Sequence, residues 1–188
     1  MKSKTVEQLA DDIVSREGGF VNHPNDKGGP TNRGVSLVFA QSIPKKNGRF
    51  PFDLNGDGKV DINDIKLVTA AIAKAAFIDN FFTAARVAEL PACIQPMQFD
   101  MNVNGGNGGG AKVLQLALVN LGCQVAIDGA LGPMTINAAN AVCKRVGDAT
   151  FCKAYIAARI AHYEAIVRRD PSQRVFLAGW KNRAESFA

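Results

Sequence analysis

One tryptophan, two tyrosines and two histidines are all that this 188-residue chain holds of those types, and each scarcity closes off a class of function. His23 and His162 stand too far apart in sequence to suggest a zinc site. Cys93, Cys123, Cys143 and Cys152 form no CxxC pair and have no histidine at ligand spacing, so they are expected to be reduced, mostly buried small hydrophobes. Tyr155, Tyr163 and Trp180 are too sparse to interleave with the basic residues around them, which argues against a nucleic-acid partner. The N-terminus has no apolar h-region, and no run approaches the roughly 18 apolar residues of a membrane span. A cytoplasmic start, with neither cleaved leader nor anchor, is the expectation. The glycines of 102–110 lack GxGxxG spacing and follow no clear strand, so a phosphate-binding loop is not expected.

What is present suits one medium domain or two small lobes. Apolar residues make up 47% and charged residues 21%, enough for a core that needs no disulfide or metal merely to fold. Charge is unevenly placed. Residues 1–143 balance 13 basic against 13 acidic side chains, whereas 144–183 hold nine basic and three acidic. A basic C-terminal segment suits a polyanion: cell wall, anionic membrane or lipopolysaccharide. A solvated helical face would look the same.

Helical periodicity dominates. Thr5 with Gln8 fits a capping box, Val6, Leu9, Ala10, Ile13 and Val14 recur at helical spacing, and Gly18-Gly19 stops the helix. Residues 20–36 are crowded with Gly, Pro, Asn and Asp, predicting tight turns with short strand pieces. Further helices are expected at about 36–42, 62–77, 78–89, from 111 onward, 133–146 and 148–169, with a last piece at 174–183. The glycine run 102–110 reads as a loop or helix lead-in.

Glu17 lies 11 residues after Val6, about 20° from the same line on an ideal helix. It should therefore follow the apolar face of Val6, Ala10 and Ile13. Desolvation and the negative end of the helix both favour the protonated carboxyl that a general acid for glycosidic cleavage requires. Asp26 and Thr31 follow in the turn-rich segment. An acid plus a carboxylate that activates water is the minimum set for glycoside hydrolysis. A salt bridge from Glu17 to Arg16 or Arg33 is the competing explanation.

The stretch EGGFVNHPNDKGGPTNRGVS at 17–36 resembles the signature of glycoside hydrolase family 108, a group of phage endolysins and bacterial muramidases. Glu17, Gly18, Gly19, Phe20, Asp26, Gly28, Gly29, Thr31 and Gly34 all fit it, with Phe20 where tyrosine is common. The segments at 100–118, 127–135 and 176–183 look like the C-terminal half of the same family, a small peptidoglycan-binding helical module. The resemblance covers most of the chain except about 40–75. It implies a mainly α, lysozyme-like fold with a small β-hairpin region near 18–36. The expected lobes are a catalytic one at 1–95 and a peptidoglycan-binding-like one at 96–188. It also implies hydrolysis of the β-1,4 bond between N-acetylmuramic acid and N-acetylglucosamine by a monomer. Glu17 would be the acid, Asp26 would position or activate water, and Thr31 would help hold it. Phe20, Asn32 and Asn102 would contact substrate. A phage endolysin of this kind waits in the host cytoplasm until a holin opens the way to the wall.

DLNGDGKVDIND at 53–64 matches EF-hand spacing. Asp53, Asn55 and Asp57 fill positions 1, 3 and 5, and Gly58 makes the sharp turn at 6. Lys59 would ligate through its carbonyl, Val60 is the apolar position 8, and Asp61 and Asp64 fill 9 and 12. Aspartate at 12 is a shorter arm than the usual glutamate. Calcium in a structural role is expected, with magnesium the second choice. A turn followed by a helix capped by Asp61 would need no metal. The loop also resembles a dockerin half, which leaves a second functional class open: a non-catalytic wall-binding or dockerin-like interaction module. Glu17, Asp26 and Thr31 speak against that, since a pure binder needs no such set.

Overall fold

The computed structural model describes residues 4–22 and 29–188. The chain divides into two compact units, Met1–Ile78 and Asp79–Ala188. The fold is mainly α with one small antiparallel hairpin.

In the first unit, α1 spans Val6–Arg16. The expected capping box is present, with Thr5 Oγ1 accepting from the Gln8 amide and Gln8 Oε1 from the Thr5 amide. Leu9, Ala10, Ile13 and Val14 are buried and pack toward α4 (Ala70–Phe77). Strands β1 (Thr31–Asn32) and β2 (Val35–Ser36) pair with Thr31 opposite Ser36 and Asn32 opposite Val35. Arg33 (φ 51°) and Gly34 (φ 79°) form the two-residue turn between them, both left-handed as a tight hairpin of this hand requires. Val21 and Thr31 exchange two backbone hydrogen bonds of 2.8 Å, so the residues after α1 add a third antiparallel segment. Helix α2 (Leu37–Ser42) follows β2 directly, capped by Ser36.

The helix expected over 62–77 is two helices. α3 covers Ile62–Leu67; Val68 is extended, and Thr69 caps α4 through its side chain. The break has a tertiary cause. The side-chain amide of Asn32 donates to the carbonyls of Ile65 (2.9 Å), Lys66 (3.3 Å) and Val68 (3.3 Å), taking acceptors that a continuous helix would have used itself.

The second unit begins with a π-helical turn at Ile78–Thr83, whose first residue closes the first unit, and a 3-10 turn at Val87–Glu89. They stand where one short helix was expected. Side chains of the later helices hold this stretch within the second unit. Asn102 donates to the Phe81 carbonyl, Asn107 to that of Asn80 and Asn140 to that of Glu89. α5 runs Gln95–Asn120, interrupted at Gly106 (φ 74°). The glycine run is thus where two helical stretches meet, at the non-helical Gly106. Gly110 is there for close approach: a methyl on it would stand 2.6 Å from Gln98 Nε2 and overlap the Asn102 side-chain carbonyl oxygen. α6 (Pro133–Val146) and α7 (Asp148–Arg169) have the expected limits, and α8 spans Arg174–Glu185.

The core of this unit contains charge. Asp100 is shut from solvent and receives the Arg159 guanidinium at 2.6 Å and that of Arg183 at 3.0 Å. Arg159 Nε also donates to Tyr163, whose hydroxyl lies 2.8 Å from Asn104 Oδ1. Lys181 pairs with Glu164. Part of the basic surplus of 144–183 is therefore spent on internal pairs rather than displayed. Removing Asp100 would leave Arg159 buried without its anion, a loss on the order of 3–5 kcal/mol. Asp100→Ala is expected to show that loss in urea unfolding and a correspondingly lower Tm.

Candidate active site

α1 ends at Arg16, and Glu17 is already extended (φ −85°, ψ 137°). The helical-wheel placement of Glu17 beside Val6 thus does not hold, because a residue outside the helix leaves its register. Glu17 is nonetheless half-buried. A neighbour far along the chain defines its position. A methyl on Gly34 would lie 2.8 Å from Glu17 Cγ, 3.2 Å from Glu17 Cδ and 3.0 Å from the tip of the Phe77 ring. Glu17 therefore lies in a space that only a glycine at the hairpin turn leaves open, with Phe77 at its edge. The Gly18 carbonyl accepts from the Arg33 amide at 3.1 Å and ties the acid's backbone to the same turn.

Thr31 is half-buried on β1. Its hydroxyl donates to the Gly29 carbonyl at 3.1 Å, leaving oxygen lone pairs able to accept from a water or a sugar hydroxyl. Phe20 is exposed and adjoins Val21, the residue paired with Thr31, with the Lys66 ammonium 5.8 Å from its ring centre. Glu17, Phe20 and Thr31 are thus carried by neighbouring antiparallel segments. Asp26 lies outside the described residues. Asn32, expected at the substrate, is buried, with its amide committed to three carbonyls at and just beyond the end of α3. Asn102 is likewise buried, accepting from Gln98 and donating to Phe81, at the wall of a small recess shared with Arg86, Asn107 and Leu131.

The loop at 53–64 is closed by its own hydrogen bonds. Asp53 Oδ2 accepts from the Gly58 amide, Asn55 Oδ1 from Asp57 and Asp57 Oδ1 from Lys59. Gly56 and Gly58 are left-handed. Asp64 is fully buried and joins the two ends of the loop, accepting from the amides of Leu54, Asn55 and Asp61. Asp53 Oδ1 is buried and meets no hydrogen-bond donor among the described residues.

Sequence spacing concealed one cluster in the second unit. All four cysteines are free and half-buried rather than mostly buried. Cys93 and Cys143 sulfurs lie 3.7 Å apart, Cys143 lies 3.1 Å from an Asp148 oxygen, and Cys152 donates to the Cys93 carbonyl. These residues are up to 59 apart in sequence, so no local motif announces them.

Two outcomes follow from this geometry. Gly34→Ala combines a left-handed backbone with the overlap on Glu17. It is expected to cost at least about 1 kcal/mol in thermal or urea unfolding. Burial pushes the Cys93 and Cys143 thiols up to about 12, and that of Cys152 upward. Unfolded thiols ionise near about 8.5, so above that pH the folded state holds more protons than the unfolded state. The stabilising contribution is complete below the unfolded value and is lost as pH rises toward 12. Tm should fall on going from neutral to alkaline pH, and a Cys93→Ala/Cys143→Ala variant should show a shallower fall.

Residues 10–106 match the glycosyl hydrolase 108 family, and residues 109–185 match a domain described as a predicted peptidoglycan domain. The structure of Brucella abortus SagA is similar in fold, with a TM-score of 0.65 and 22% identity over 97% of this chain and 94% of that one. No curated protein matches the chain. The first of these matches spans more than half of the residues, and the chain is a member of the glycosyl hydrolase 108 family.

Proposed function

We propose that this glycoside hydrolase cleaves the β-1,4 bond between N-acetylmuramic acid and N-acetylglucosamine in bacterial peptidoglycan, with Glu17 as the general acid. The observation that carries the reading is the seat of Glu17 against Gly34 and Phe77 at the turn of the hairpin. A carboxyl so held can deliver its proton to the glycosidic oxygen from a defined direction. Asp26 would activate or position the attacking water, and the Thr31 hydroxyl oxygen would help hold it. The exposed ring of Phe20 offers an apolar face to a sugar. The match of 109–185 to a peptidoglycan domain supports the same polymer as the partner. The biological role would be that of a phage endolysin, reaching the wall from the host cytoplasm after a holin acts. Among the described residues no helix is long and apolar enough to cross a membrane.

Glu17→Gln keeps the shape of the side chain and removes the transferable proton. On purified peptidoglycan it is expected to reduce turnover by at least about a thousandfold with an unchanged Tm. The wild-type products should carry N-acetylmuramic acid at the new reducing end. A fully active Glu17→Gln protein overturns the assignment of the acid. New amino groups instead of reducing ends would make the activity that of an amidase or peptidase.

A further inference from the structure

The calcium-type loop and the hairpin beside Glu17 are joined by side-chain tethers. We infer that residues 53–64 bind one Ca2+ ion and that the bound ion orders the hairpin that seats Glu17. The ligands would be the side chains of Asp53, Asn55, Asp57, Asp61 and Asp64 and the Lys59 carbonyl.

The donor set is all oxygen, the chemistry of a hard cation. Four carboxylates and one ammonium share these twelve residues. The observation that points to a ligand is Asp53 Oδ1. An anionic oxygen withdrawn from water with no donor facing it is costly, and a cation at position 1 of the loop would offset that cost. Its partner oxygen, held by the Gly58 amide, keeps the carboxylate turned into the loop. Calcium rather than magnesium follows from the number of oxygens offered and their varied types, since magnesium demands a tight octahedron and keeps its waters.

The coupling is equally concrete. α3 starts inside the loop, with Asp61 as its cap and Asp64 in its first turn. The carbonyls at and just beyond the other end of α3 are those held by the Asn32 amide. Asn32 sits between Thr31 and the Arg33-Gly34 turn on which Glu17 rests. A second tether runs from Gln41 on α2 to the Val60 carbonyl at 2.8 Å. With only one such loop in the chain there is no partner loop to brace it. The catalytic segment takes that place.

Binding stands independently of the reading of Glu17 as the acid; only the effect on hydrolysis rests on it. The test titrates the full chain, stripped by chelator, with CaCl2 in a calorimeter. Hydrogen exchange at residues 29–36 and turnover of peptidoglycan are followed in the same samples. One binding event is expected, with exchange of the Thr31 and Arg33 amides slowed at least tenfold and turnover raised at least fivefold. Asp53→Asn should abolish the heat and behave as the stripped protein does. Asn32→Ala, or Gln41→Ala should the former not fold, should still bind the ion but lose at least half of the protection. No heat with CaCl2 overturns the site, and heat with MgCl2 alone overturns the choice of ion. Binding without a change in exchange overturns the coupling. Binding with slowed exchange but no hydrolysis in either state supports the inference and counts against the muramidase reading instead.

Discussion

The side-chain amide of Asn32 is the interaction on which the first unit turns. It reaches from β1 to three carbonyls more than thirty residues away, and in doing so it ends α3 and holds the hairpin against that helix end. A buried amide with two donors is suited to this, because the end of a helix offers several acceptors close together. Leaving those carbonyls unpaired in a buried place would cost on the order of 1–3 kcal/mol each. Asn32 is therefore positional: it places Thr31 before it and Gly34 after it, and through Gly34 the seat of Glu17.

The second unit solves a different problem. Its central helix carries Gln98, Asp100, Asn102 and Gln115 into the interior, a polar load that must be fully paired. Asp100 takes two arginines, Gln98 bridges Tyr155 and Asn102, and Gln115 binds both the Asp128 carboxylate and the Gly129 amide. The glycines of this helix make the pairing feasible, since a side chain at Gly110 would displace the amides beside it. A stretch that composition marks as a loop or helix lead-in is helical on either side of Gly106, and at Gly110 its neighbours leave no room for a side chain.

The site was legible in part. The order of Glu17, Gly34 and the residues between them identified the segment, and membership of the glycosyl hydrolase 108 family agrees with it. The reason offered for Glu17 from helical periodicity was not the operative one, because the helix stops one residue earlier. Asn32 and Asn102, expected at substrate, make buried hydrogen bonds within the protein. Asparagine in a signature reads the same whether its amide faces a ligand or a distant carbonyl. The thiol cluster was illegible for a related reason: metal-like and redox motifs are recognised by short spacing, and these sulfurs meet only after several helices have packed.

By itself the sequence determined what depends on neighbours a few residues apart. These are the capping box of α1, the limits of α6 and α7, the hairpin in the glycine-rich segment and the twelve-residue oxygen loop, all set by local hydrogen bonds and periodicity. The tertiary structure decided where α3 breaks, that 102–110 is helical on either side of Gly106, that Asp100 pairs with two arginines inside a core, and that the seat of Glu17 is Gly34. Each of these is settled by a partner distant in the chain, and a contact between distant residues leaves no period or spacing in the sequence to announce it.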